Sequence, residues 1–465
     1  MSIVIRKLNT LFLCALILLF PTLSSKILAQ TASINAGTVY QTIDGFGAAT
    51  AFLSGSSVPA SVINTLYGSS SIGLKYIRMQ IYPDYSDCVS WTGSASYCVS
   101  VSSGATIETA DLANVKAAVA NGAVVWATLW SPPGSMKDNG NFSSGGNFLG
   151  NSTNYTALAT IEASFVTLLT GTYGIPVYAV SAQNEPNISE GYPSCLWTAQ
   201  QFHDFVPYLR SALNAVGYGS TKIMVAEPGH WESDYASTAM NDSTVASDIG
   251  ILAAHGYASN GNGPVNPPSP LSYSNVTSQH QWETEVSDTN SYDGSMTSGL
   301  MYALAIHQFL ATAQVNAWNY WLISGDGRSG NSGLTDSSNN IAKRAYVMGN
   351  WARFVTGMVE IAATQNPQSG VYVTAFKNTS TGAFAIVAIN TNSNDATQSF
   401  ALNNISGTSM IPYVTDPNND LAAQSTISVS SNSFSATLSA SSVTTFMSRG
   451  NTAGAPTNLV GSVIQ

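Results

Sequence analysis

Two glutamates close β-rich apolar runs and have the placement to share one reaction. Ala182-Gln183-Asn184-Glu185-Pro186-Asn187 ends one run, with Pro186 stopping the strand and Glu185 at its lip. His280-Gln281-Trp282-Glu283-Thr284-Glu285-Val286-Ser287 ends another, with Glu285 near its close. Glycoside hydrolysis needs two carboxyl groups across one cleft: one protonates the leaving oxygen, and the other attacks the anomeric carbon or activates water. Charged residues make up 9% of the chain, against roughly 25% in an average domain, so paired acids at strand ends are informative here. Surface or structural carboxylates are the alternative. Side chains alternate along a strand, so Glu283 and Glu285 share a face. Glu283 lies one layer deeper, as a supporting acid or buried partner, and Glu285, nearer the rim, is the better nucleophile. Glu227 in Ala226-Glu227-Pro228-Gly229 is a rival acid and reads best as a hydrogen-bonding support.

Other residue types fit around this pair. Arg78, in Tyr76-Ile-Arg-Met-Gln, needs an acid partner if buried, and holding Glu285 ionised is a natural role. A structural salt bridge is the alternative. Asn184 is placed to hydrogen-bond a sugar hydroxyl. Trp130, Trp231, Trp282, Trp318, Tyr320 and Trp321 fall at or near strand ends, where flat rings stack on sugars, although each alone is more often core. His255 and Tyr257 close a further run, in a binding or a structural role. No Gly-x-Ser-x-Gly, His-Glu-x-x-His or phosphate-loop motif is present, and the five histidines are scattered. No metal and no cofactor is therefore expected.

The elements that must position these residues alternate strand and helix. Strands are predicted at Gly45–Phe52, Tyr76–Tyr82, Val124–Trp130, Val177–Glu185, Lys222–Glu227, Ile251–Tyr257, His280–Val286 and Ala317–Ser324. Helices are predicted at Ala60–Tyr67, Thr109–Ala120, Thr156–Leu169, Ala199–Ala215, Ser233–Ile249, Ser298–Thr312 and Ile341–Val355, while Gly261–Ser278 reads as a loop. Eight such units predict an α/β fold, a (β/α)8 barrel over 45–358, with functional residues at the C-terminal ends of its strands. An open doubly wound sheet lacks its Gly-x-Gly-x-x-Gly signature. Period-two runs such as Val371-Tyr-Val-Thr-Ala-Phe then predict an antiparallel β-sandwich over 359–450, joined by a strand within 30–44 and followed by a tail at 451–465.

Composition sets the compartment and the partners. Hydrophobic residues at 44% exclude a disordered chain, and a net charge of -10 excludes a basic nucleic-acid footprint. Arg6 and Lys7, the apolar run Leu11–Phe20 and the small residue Ala29 predict a signal peptide over 1–29, too short to be a membrane anchor, and hence a secreted protein. Without that segment the chain has 12 basic against 25 acidic residues, a charge of -13 that disfavours polyanions. Cys88 and Cys98 are the likeliest disulfide pair in the remainder, in a loop, with Cys195 left free. A polysaccharide is the expected partner, with no nucleic acid and no membrane, and the chain is expected to act as a monomer.

Gln41-Thr-Ile-Asp-Gly-Phe-Gly, Trp130-Ser-Pro-Pro-Gly-Ser-Met-Lys, Gln183-Asn-Glu-Pro and Trp282-x-Thr-Glu, in that order, resemble glycoside hydrolase family 30, as does Ser441-Ser-Val-Thr-Thr-Phe near the end. The resemblance implies a barrel with a sandwich at its side and a retaining mechanism, with Glu185 as acid/base and Glu285 as nucleophile. The nearest group looks like its bacterial xylanases, whose glucuronoxylanase members hold a uronate with an Arg-Arg-Ser-Tyr-like stretch after the eighth strand. Here that place reads Trp321-Leu-Ile-Ser-Gly-Asp-Gly-Arg-Ser, offering only Arg328 beside Asp326. The expectation is a secreted endo-1,4-β-xylanase without strict dependence on glucuronate. A β-1,6-galactan or β-1,6-glucan substrate, or a carbohydrate-binding protein without catalysis, are the alternatives. A retaining pair should stand about 5–5.5 Å apart. The charge of Glu285 and a partly apolar cleft should raise the pKa of Glu185.

Overall fold

The computed structural model describes residues 31–53, 57–99, 104–325 and 330–449. The predicted signal segment, the C-terminal tail and Arg328 lie outside the described residues. Strand β1 (Ala32–Thr42) precedes β2 (Gly45–Ala49) and β3 (Tyr76–Ile81), and a small hairpin of β4 (Cys98–Val99) and β5 (Ile107–Glu108) follows. Then come β6 (Val124–Leu129), β7 (Val177–Ser181), β8 (Lys222–Ala226), β9 (Ile249–Ala254), β10 (His280–Glu283) and β11 (Ala317–Leu322). Strands β2, β3 and β6 to β11 are parallel and close into a barrel, β11 pairing with β2 from Ala317↔Gly45 to Leu322↔Ala49. These strands are mostly apolar on both faces because helices cover the outside and side chains fill the inside, with Arg78, Gln80, Glu283 and Asn319 among the buried polar exceptions. Trp126, Met224, Ile251 and Trp282 pack the interior.

The helices are α1 (Ala60–Tyr67), α2 (Tyr85–Thr92), α3 (Thr109–Ala120), α4 (Ser152–Thr167), α5 (Ala199–Ala215), α6 (Ser237–Asn241), α7 (Ser243–Ala246), α8 (Met296–Ala311) and α9 (Lys343–Val355). Two expectations fail locally. The helix predicted over Ser233–Ile249 breaks into α6 and α7, because the Asp242 side chain accepts from the Thr244 amide and starts a new turn, and Ile249 already belongs to β9. The loop expected around Cys88 is helix α2, which the Asp84 side chain caps by accepting from the Asp87 amide and which Gly93 ends in the left-handed region. Cys88 and Cys98 form the expected disulfide, and Cys195 is a buried free thiol.

The second layer system is a ten-stranded, mostly antiparallel sheet. It uses β1 with β12 (Val359–Ala363), β13 (Val371–Lys377), β14 (Phe384–Asn390), β15 (Ala396–Asn403), β16 (Ser409–Thr415), β17 (Ala422–Ala423), β18 (Ile427–Ser428), β19 (Ser433–Leu438) and β20 (Ser442–Arg449). β1 bridges its halves, antiparallel to β12 and parallel to β15. The sheet folds over so that Phe400, Phe434 and Phe446 meet with ring centroids 4.8–5.4 Å apart. β14 is buried along its whole length. Phe384, Ile386 and Ala388 enter the sandwich core, and Ala385, Val387 and Ile389 join the barrel core. One strand thus belongs to both cores, which locks sandwich and barrel together.

Gly47 sits where β2 meets both its barrel neighbours. A Cβ there would lie 2.4 Å from the Tyr76 carbonyl oxygen and 2.5 Å from Asn319 Oδ1. Neither obstacle is a flexible side-chain end that can swing away into solvent. Gly47→Ala should therefore cost about 2–3 kcal/mol in a denaturant titration, the usual range for forced overpacking. A loss well below 1 kcal/mol would show that the closure of β2 tolerates a methyl group.

Candidate active site

The C-terminal ends of four barrel strands converge on one buried charge cluster. Glu185 follows β7 with φ +46°, and Glu227 follows β8 with φ +55°. The left-handed region disfavours glutamate, so surrounding bonds must hold both turns. The Asn184 amide donates to the Leu129 carbonyl (2.8 Å), the Glu185 amide to the Glu227 carbonyl (3.0 Å) and the Glu227 amide to the Ala253 carbonyl (3.1 Å). Each strand end is thus fastened to a neighbouring strand, and both side chains turn to the barrel axis.

Arg78 on β3, 1% exposed, is the centre of the cluster. Its Nη1 donates to Glu285 Oε2, its Nη2 to Asn184 Oδ1 (2.6 Å), and its Nε to Thr128 Oγ1 (3.1 Å). Nη2 also pairs with Glu227 Oε1 at 3.1 Å. The guanidinium lies 4.3 Å from the Trp130 ring centroid. His255, fully buried, sits among three acids: Nδ1 is 3.1 Å from Glu185 Oε1, and Nε2 is 3.6 Å from both Glu227 Oε1 and Glu285 Oε2. Tyr257 Oη donates to Glu285 Oε1 (3.1 Å), and Tyr192 Oη donates to Glu185 Oε2. One carboxylate oxygen of Glu185 and one of Glu285 lie within 4.8 Å of each other. Glu185, His255 and Glu285 also lie close enough to hold a metal ion by distance alone. Arg78 already supplies a fixed positive charge to this group, and a metal at His255 would displace its bond to Glu185.

The proton balance reverses the expectation for the pair. Burial opposes ionisation of Glu185, yet the hydrogen bonds of His255 and Tyr192 and the charges of His255 and Arg78 outweigh it and hold its carboxyl below the ordinary value. Burial, reinforced by the charge of Glu185, raises Glu285 despite His255 and Arg78. Glu227, buried but paired with Arg78 and His255, is held low. Burial disfavours the imidazolium, but the surrounding carboxylates push His255 up to about 10. Three acids therefore share two cations, and the spare proton belongs to Glu185 and Glu285 jointly.

The aromatic expectations divide. Trp130 and Trp321 stand at the mouth with Phe52, Trp91 and Tyr192. Trp282 does not reach it: its ring packs on Tyr76 and Tyr178 and its Nε1 donates to Asp44 (2.7 Å), so it fills the opposite end of the barrel. Trp318 and Tyr320 face outward onto Tyr302 of α8, because Asn319 between them takes the inward position. Trp231 is buried against Phe309 of α8. Asn184 spends its Oδ1 on Arg78. The sequence reading missed Phe52, Trp91 and Tyr192. Tyr192, seven residues beyond Glu185 in Gly-Tyr-Pro, carried a turn signal but none of proximity.

The charge balance makes a measurable demand on His255. Its cation lowers Glu185, Glu227 and Glu285 alike. In His255→Gln all three should keep their protons to higher pH. Infrared titration of the protonated carboxyl band should show more signal in the neutral range than in the wild type. An unchanged titration would mean that His255 is neutral in the protein.

No protein-family model matches the chain. Glucuronoxylanase XynC of Bacillus subtilis (strain 168) is 28% identical over 439 residues, spanning 93% of this chain and 94% of that protein. The structure of a GH30 endoxylanase from Clostridium papyrosolvens C71 is 28% identical and covers 90% of this chain and 100% of its own, with a TM-score of 0.72. The structure of Xyn30A from Clostridium acetobutylicum, a glycoside hydrolase family 30 subfamily 8 xylanase, is 31% identical and superimposes with a TM-score of 0.75. That match covers 90% of this chain and 99% of the other and, together with the carboxyl pair at the barrel mouth, makes this protein a glycoside hydrolase of family 30.

Proposed function

We propose that the protein is a secreted, retaining endo-1,4-β-xylanase, with Glu285 as nucleophile and Glu185 as acid/base. The observation that carries this reading is the approach of the two carboxylates, with oxygens within 4.8 Å. That spacing fits the about 5–5.5 Å of retaining pairs and falls short of the about 6.5–9.5 Å that leaves room for a water in inverting ones. Glu285 attacks the anomeric carbon while Glu185 gives its proton to the leaving glycosidic oxygen. A water then attacks the covalent xylosyl ester and returns a proton to Glu185. Arg78 and Tyr257 donate to Glu285 and favour its ionised form. For the reaction the proton that the two acids share has to lie on Glu185 with Glu285 ionised, and the negative charge that Glu285 then carries favours the protonated form of Glu185. Trp321, partly exposed, offers an apolar face to the neutral backbone at the mouth, while Trp130, 1% exposed and stacked on Arg78, backs it from within and does not meet the sugar as expected.

The relatives named as xylanases support xylan as the substrate. Export is supported by Arg6, Lys7, Leu11–Phe20 and Ala29 and by the Cys88–Cys98 bond. Glu285→Gln should cut reducing-sugar release from β-1,4-xylan by a factor on the order of a thousand or more while the protein stays folded. Equal, negligible release by wild type and variant from every glycan tried would favour a binding protein instead.

Side-group dependence is inferred from the residue types that follow β11 in the sequence. Recognition of a uronate calls for a cation in fixed geometry, best a bidentate arginine. The segment Gly325-Asp326-Gly327-Arg328-Ser329-Gly330 offers one arginine among three glycines and beside an acid. Glycine has more conformational freedom to lose than other residues, so a clamp placed among three of them binds weakly. The protein should therefore cut linear xylan and glucuronoxylan at comparable rates and give products that do not track the branch positions. Cleavage of glucuronoxylan alone, abolished in Arg328→Ala, would make Arg328 the uronate clamp.

A further inference from the structure

Beneath Glu285 lies an acid that the proposed reaction leaves unused. Glu283, the last residue of β10, is fully buried. The ladder of β10 ends at Glu283↔Ala254 on the β9 side and at Glu283↔Trp318 on the β11 side. Beyond those pairs the regular ladder stops: the Trp321 amide still reaches the Val286 carbonyl (3.0 Å), and the Glu283 side chain adds acceptors of its own. Oε1 accepts from the Gly256 amide (3.0 Å) and the Glu285 amide (2.9 Å), and Oε2 accepts from the Asn319 amide (2.9 Å). Asn319 Nδ2 returns a bond to the Glu283 carbonyl (2.8 Å), and the Gly256 amide also reaches the Glu285 carbonyl (2.8 Å).

The packing is as specific as the bonding. A Cβ on Gly256 would stand 2.8 Å from Glu283 Oε1, 3.0 Å from its Cγ and 3.1 Å from its Cδ. Gly256 separates His255, 3.1 Å from Glu185, from Tyr257, 3.1 Å from Glu285. One carboxyl group therefore fixes the backbone of the nucleophile itself and of the turn that presents a cation to one acid and a phenol to the other. A carboxyl has two oxygens able to accept several bonds, of which an amide keeps one and an alkyl side chain none.

We infer that Glu283 is a positioning residue for hydrolysis: it caps the end of β10 on both sides and sets the place of the Glu285 carboxylate and of the His255–Tyr257 turn. This rests on the assignment of Glu285 as nucleophile. Glu283→Met, similar in length, removes all three acceptors. Its kcat on xylan should fall about a hundredfold, the cost of a displacement of about 1 Å at the reacting centre, while KM stays within about twofold. Glu283→Gln keeps the Oε1 acceptor for Gly256 and Glu285 and should recover most of the rate. A large part of the loss in Glu283→Met should persist on an aryl β-xylobioside with a good leaving group, because displacement of the nucleophile is not relieved by an easier departure. Gly256→Ala, which pushes on the same carboxyl from outside, should show the same kcat signature and carries the test if Glu283→Met does not fold. Amide exchange at Gly256, Glu285 and Asn319, which needs no substrate, should quicken in Glu283→Met. A folded Glu283→Met or Gly256→Ala with unchanged kcat, a loss confined to KM, or a loss that disappears with the good leaving group would overturn the inference. A wild type inactive on both substrates would instead overturn the reading of function, and unchanged amide exchange would then still count against the capping role.

Discussion

A guanidinium cannot lose its proton inside a protein, and Arg78 is 1% exposed. Its charge must be balanced by anions within reach, and its donors must find acceptors. Glu285, Glu227, Asn184 and Thr128 supply them from strand ends and from the neighbouring strand β6. The rings of Trp126 and Trp130 cover its faces at 5.1 and 4.3 Å. This arrangement lets two carboxylates lie buried next to one another. It also explains why His255 is cationic: with a third acid in the cluster, one guanidinium is too little charge.

Burying three acids and two cations is costly unless the geometry is fixed, and the barrel fixes it with backbone. Left-handed turns at Glu185 and Glu227 aim the side chains inward, and amide bonds to neighbouring strands hold those turns. Glu283 does the same for Glu285 with its side chain. The sandwich contributes from outside. Asn350 on α9 bonds the Tyr413 carbonyl and Thr445, and β14 shares residues with both cores, so helices and strands around the barrel have little freedom to shift.

Much of this was legible in the residues. Runs such as Val124–Leu129 and, Asn319 apart, Ala317–Leu322 are apolar, β-branched or aromatic, as a strand buried on both faces tends to read. The alternation in β19, with Phe434, Ala436 and Leu438 buried, marks a strand with one wet face. Helix ends were less legible. Asp242 interrupts a pattern that otherwise suits one helix, and the cap that Asp84 gives to α2 depends on a contact that apolar periodicity does not register. The aromatic residues show the limit most clearly. Trp282, Trp318 and Trp321 all lie in or next to barrel strands, yet only Trp321 is at the mouth, because height along the strand and the in-or-out alternation decide which end and which side a ring occupies.

By itself, then, the sequence determined the layered architecture, the pair Glu185 and Glu285, and the buried arginine that accompanies them. Residue type, period and strand-end position depend only on local chain properties, and those survive in one dimension. The tertiary structure decided how protons are distributed. Next to Glu285 alone, Glu185 would be raised; with His255 and Tyr192 brought to it from other segments, it is lowered and Glu285 is raised instead. Charge interactions in a low-dielectric interior act over several ångströms and sum over every neighbour. The order of two pKa values is therefore a property of the assembled cluster, and no motif of a few residues contains it.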